Sequence, residues 1–128
     1  MSYYFNKTIK ASFEEAIIRA TESLKKEGFG VLTEIRIHEK LKEKLGVEFH
    51  RYTILGACNP AYAYKALLAE NKIGTMLPCN VIIQELENGD IEIAAVNPIE
   101  SMKAVQNPAL GAVAIQVTEM LMRVVAEI

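Results

Sequence analysis

The apolar positions of this chain change period several times, and each change marks an element. Phe13, Ala16, Ile17, Ala20 and Leu24 recur at helical spacing. Ser12 and Glu15 in front of them form a capping box, in which hydroxyl and carboxylate satisfy free backbone donors reciprocally, and Gly28 is the C-terminal stop. Tyr3 to Lys10, before this helix, is β-rich and reads as the first strand. Phe29 to Ile37 alternates, with Phe29, Val31, Thr33, Ile35 and Ile37 on one side, and predicts a second strand. His38 to Leu45 reads as a short charged helix ended by Gly46. Tyr52 to Ala57 is a third strand with apolar or small residues on both faces, which predicts burial on two sides.

Asn59 to Asn71 is helical in pattern. Cys79 to Glu87 and Asp90 to Val96 are strands four and five, joined as an antiparallel hairpin at Asn88-Gly89. Asn59-Pro60, Asn97-Pro98 and Asn107-Pro108 each fit a helix start, with Asn as cap and Pro at the first helical position. The final helix, Pro108 to about Glu127, is apolar well beyond one stripe: Ile115, Met120, Met122 and Val125 widen the row set by Leu110, Val117 and Leu121. A helix of this kind needs cover on two sides. Together with the two apolar faces of strand three, it predicts a homodimer.

Composition adds limits rather than a function. The 128 residues suit one domain spanning 1–128, with 51% hydrophobic and 23% charged residues. The formal charge of −2 and the Lys/Glu interleaving of Lys40 to Lys44 argue against nucleic acid as a partner. The N-terminus lacks a basic start followed by an apolar run, and no window reads as a transmembrane helix, so the expectation is a cytoplasmic protein with no membrane partner. Two cysteines in that compartment are expected as reduced thiols.

Those cysteines carry the candidate chemistry. Cys58 precedes the start of a helix, where backbone N–H groups favour a thiolate, and Cys79 opens strand four behind Pro78. If strands three and four run antiparallel, both thiols lie at one edge of the sheet, with Asn59 and Asn80 beside them. Cys58, Asn59, Cys79 and Asn80 are therefore the candidate ligand-binding residues, with a pocket expected between the Gly56–Tyr64 and Gly74–Val81 segments. Two Cys and two His in all do not make a zinc centre at recognised spacing. His50, at the other end of strand three, lies roughly 25 Å from Cys58 at about 3.3 Å per residue, too far to activate it. No phosphate loop, HExxH or GxSxG occurs. Three functional readings follow: a homodimeric small-ligand-binding or accessory module; a thiol-based redox or metal-binding protein using Cys58 and Cys79; and an interaction protein in which both motifs are structural. No catalytic constellation and no cofactor is identified, and a small ligand or a metal ion is the candidate non-protein partner.

The run Tyr52-Thr53-Ile54-Leu55-Gly56-Ala57-Cys58-Asn59-Pro60, then Ile73-Gly74 and Leu77-Pro78-Cys79-Asn80-Val81, resembles the signature of the family catalogued as domain of unknown function 302. Leu41 to Phe49, Val96-Asn97-Pro98 and Asn107-Pro108 fit it too, so the likeness covers nearly the whole chain. Asn97 departs from it, standing where the family commonly has Asp. The resemblance implies an α+β fold similar to the TATA-binding-protein-like class: a mostly antiparallel five-stranded sheet packed by helices, in the order β-α-β(4)-α with short extra helices between strands, and dimeric. It implies no activity.

Overall fold

The computed structural model describes residues 2–128. Five strands, β1 (Tyr4–Ile9), β2 (Gly30–Arg36), β3 (Tyr52–Cys58), β4 (Cys79–Glu85) and β5 (Ile91–Val96), form one sheet in the order β1-β5-β4-β3-β2. Every neighbouring pair is antiparallel, so the α+β class and the expected antiparallel relation of strands three and four both hold. Five helices accompany it: α1 (Phe13–Lys26), α2 (Ile37–Leu45), α3 (Pro60–Ala69), the single-turn α4 (Pro98–Ser101) and α5 (Pro108–Ala126). A 3₁₀ turn, Ile73–Met76, precedes β4.

Local chemistry sets several boundaries. The Ser12 hydroxyl accepts from the Glu15 amide at 3.1 Å and starts α1. Gly46 ends α2 at φ 67°, a left-handed conformation that glycine adopts without a Cβ penalty. The β4–β5 connection is wider than the expected two-residue turn. The Gly89 amide donates to the Leu86 carbonyl at 2.9 Å, so Glu87 and Asn88 occupy the turn centre and Gly89 (φ 89°) makes the left-handed bulge after it.

Helices α1 and α5 cover one face of the sheet. Leu55, Ala57, Val81, Ile83, Ile93 and Ala95 point there and pack against Phe13, Leu24, Leu121 and Val124. The opposite residues on the same strands are not covered. Tyr52, Ile54 and Ile82 are half-buried and Ile35 is 41% exposed. The predicted two-sided burial of strand three is therefore not met within the chain. Nor does the alternation of strand two survive intact. A register shift between Val31 and Thr33 leaves Val31 opposite the core residue Ala57 but turns Thr33 and Ile35 to the uncovered face, beside Gly56 and Ile54.

The final helix finds its second cover inside the chain, from α1, α3 and α4 as well as the sheet. Its eight buried residues include Leu110, Met120 and Val125, whereas Ile115 and Met122 stay 51% exposed. One window of this helix does qualify by length and composition where the sequence reading expected none. By length and mean hydropathy (1.5 over its best window) it could cross a bilayer, but 44% of that window is buried in this fold.

Candidate functional site

The site grows out of the ladder between β3 and β4. Ala57 faces Cys79 and Gly56 faces Asn80, which brings the Cys-Asn-Pro and Pro-Cys-Asn segments to one end of the sheet. Gly56 fits this place because its neighbours leave no room for a side chain. A Cβ there would collide with the Thr33 hydroxyl and approach the Pro78 ring to 2.8 Å. The Leu77–Pro78 peptide is cis. Beyond Cys58 the chain turns into α3, which runs back beside α5 on the covered side.

Asn59 does not cap α3 as the Asn-Pro reading expects. Its Nδ2 donates to the Glu27 carbonyl at 3.2 Å and lies 3.7 Å from the Met120 sulfur, tying the start of α3 to the end of α1 and to α5. Asn97 and Asn107 do cap, their Oδ1 atoms accepting from the amides of Ile99 (3.2 Å) and Ala109 (3.1 Å). Asn107 has a second role, since its Nδ2 donates to the Ala69 carbonyl at 2.9 Å. Two asparagine side chains thus pin both ends of α3. Between them the helix is loosely held: Ala66 is its one buried residue, while Tyr64 and Leu68 are exposed.

Beneath α3 lies a cavity of about 280 Å³, bounded by the ends of β3 and β4 and by α5. Ala57, Cys58, Asn59 and Cys79 contribute to its wall, as do Ala63 and Ala66 from α3 and Val113 and Ala114 from α5. It lies where the Gly56–Tyr64 and Gly74–Val81 segments predict a pocket. Sequence reasoning missed the half supplied by α5, by Met102 and by Phe29. The available signal was the run of small residues, Ala63, Ala66 and Ala114, where large ones would have filled the gap. Asn80 is the one site residue that does not line this cavity. It is exposed on the uncovered face and borders another depression, of about 230 Å³, with Cys79, Met76 and Met102.

Both cysteines are free thiols. Cys79 is buried, and that burial, reinforced by neighbouring Cys58, pushes its thiol up to about 11. It is therefore protonated at neutral pH and a poor nucleophile there. Cys58 is half-exposed. His50 sits at the far end of the ladder, its Nε2 2.9 Å from Gln84 Oε1, and His38 accepts from the Tyr52 amide at 3.0 Å. Neither imidazole belongs to the thiol end. Among the described residues no group of three or more His, Cys, Asp or Glu side chains converges to hold a metal ion.

Comparison with known proteins agrees with the fold. The family model "Domain of unknown function DUF302" matches residues 5–128. The crystal structure of an uncharacterized conserved DUF302 protein from Bacillus stearothermophilus superposes with a TM-score of 0.91 at 32% identity, covering 99% of this chain and 98% of that one. No curated protein matches. With a family model spanning all but the first four residues and a solved relative 32% identical over almost the whole of both chains, the chain belongs to the DUF302 family.

Proposed function

We propose that this protein is a small-ligand-binding module whose ligand is an apolar molecule held in the cavity beneath α3. The observation that carries this reading is the cavity itself: about 280 Å³ of space at the convergence of the two Cys/Asn/Pro segments, walled almost entirely by carbon. The cavity opens to the surface, and a concave wall this apolar favours apolar guests. Benzene fits a cavity of ~150 Å³, so this one suits roughly ten to twelve carbon atoms. The few polar groups on its wall, the Cys58 and Cys79 thiols and the Asn59 amide, would orient a single hydroxyl or carbonyl rather than bind a charge. Helix α3, with one buried residue and a hydrogen bond from an asparagine amide at each end, is the wall that would adjust around the guest.

The thiol reading has less support. A buried Cys79 held protonated and the absence of an adjacent imidazole both work against a reactive pair, although Cys58 remains accessible. The two readings part on a titration with n-alkanols of increasing length. Ligand binding predicts an affinity that grows by about 0.8 kcal/mol per methylene and levels off near the carbon count above. A response independent of chain length would remove the cavity as the binding site.

A further inference from the structure

We propose that Met102 sets the length of the ligand, as the end wall that stops an alkyl chain at the limit of the cavity beneath α3. The inference rests on the ligand reading and assigns that site its specificity-determining residue.

A second depression, of about 500 Å³, lies along the first two turns of α5. Leu110, Gly111 and Ile115 of α5 and Val105 from the loop before it contribute to its wall, and Lys103 is the one charged residue there. The cavity and this depression share two wall residues, Met102 and Ala114. Ala114 offers a single methyl group on the helix surface. Met102 is therefore the side chain with the reach to divide the two spaces. It also borders the smaller depression beside Asn80, where Ser101 makes the wall more polar. An alkyl chain passing Met102 gains more by burial in the depression along α5.

The backbone and the side chain of Met102 are held in different ways. Its N–H donates to the Pro98 carbonyl and its carbonyl accepts from the Val105 amide, both at 3.0 Å. These bonds fix its position without using the side chain. The side chain is half-buried and packs against the cluster of Ala66, Ile73 and Leu110. Methionine is unbranched and fills such an irregular gap by choice of rotamer. The end wall is thus a removable side chain on a fixed support. A chain that reaches it meets no further apolar wall, and each added methylene stays in water.

Titration of the full chain with n-alkanols from hexanol to tetradecanol tests this, read by tyrosine fluorescence, since Tyr62 lines the cavity. Wild-type affinity should rise roughly fourfold per methylene and level off at about ten to twelve carbons. In Met102→Ala it should keep rising, so that tetradecanol binds roughly tenfold or more tighter than to the wild type. A Cβ at Gly111 would meet no atom within 4 Å, so Gly111→Leu fits and fills the second depression. Combined with Met102→Ala, it should restore the wild-type limit. Circular dichroism verifies that each variant folds. Should Met102→Ala not fold, Met102→Val carries the same expectation with more packing retained. The same limit in the wild type and the folded Met102 variant would overturn the assignment and leave the cavity as the site. So would a wild-type series that never levels off, or an extended limit that Gly111→Leu does not shorten. Wild-type protein that binds none of the alcohols would remove the ligand reading itself, and the end wall with it.

Discussion

The side-chain amide of Asn59 donates to the backbone carbonyl of Glu27 at 3.2 Å, joining the first residue before α3 to the last turn of α1. Asn59 therefore works as a tether, although an Asn-Pro pair at a helix start advertises a cap. The distinction is measurable. Asn59→Ala should cost about 1–2 kcal/mol of stability in urea denaturation. Asn59→Asp, an excellent cap but no donor, should cost at least as much. Wild-type stability in the Asp variant would mean that capping was the role after all.

Gly56 stands between Thr33 and Pro78 with no space for a methyl group. Gly56→Ala should destabilise by about 1–3 kcal/mol through overpacking. Adding Thr33→Ala should restore part of that loss, because one of the two obstructing groups is gone. The double-mutant cycle reads this directly.

Cys79 should give the protein an alkaline limit. Its thiol is near 9.0 when unperturbed and about 11 in the fold. Below the first value both folded and unfolded chains carry the proton, and stability does not depend on this group. Between the two, the unfolded chain releases its proton first, so stability falls as pH rises, with a slope of up to about 1.4 kcal/mol per pH unit. Chemical denaturation from pH 8 to pH 11 should show this decline in the wild type and a weaker one in Cys79→Ala. In the folded protein at pH 8, iodoacetamide should modify Cys58 well before Cys79.

Asn97 is fully buried; its Nδ2 donates to the Ser2 carbonyl at 3.1 Å, and its Oδ1 lies 3.4 Å from the Thr118 hydroxyl. An ionised aspartate could keep the cap on Ile99 but not the donation to Ser2. Asn97→Asp should therefore lose about 1–3 kcal/mol at neutral pH and recover part of it in acid, as the carboxyl regains a proton. Unfolding curves at pH 7 and pH 4 compare the two conditions.

Much of the architecture was legible because short-range chemistry specified it. The Ser12 cap on the Glu15 amide, the Asn97 and Asn107 caps and the glycine after α2 each mark a boundary with a local hydrogen bond or dihedral. The antiparallel β3–β4 relation followed, and with it the meeting of Cys58 and Cys79 at one sheet end. What escaped was decided by tertiary contacts. A bulge after Val31 reversed the facing of Thr33 and Ile35, and no alternation count contains a bulge. The breadth of apolar residues on α5 is covered in part by α1, α3 and α4, contacts that spacing along the chain does not encode, while Ile115 and Met122 stay exposed. Asn80 was grouped with Cys79 by adjacency, yet neighbouring strand residues point to opposite faces. The cavity was half visible, since its walls from α5 depend on packing that spacing does not encode.

The central claim, an apolar ligand beneath α3, is tested most directly by filling the space. Ala114 is buried and lines the cavity, so Ala114→Leu places a side chain where the guest would sit. Isothermal titration of n-octanol into wild type and variant, both verified as folded by circular dichroism, should give saturable one-site binding that the variant loses by tenfold or more, about 1.4 kcal/mol. Equal binding by both proteins, or none by the wild type, would contradict the account.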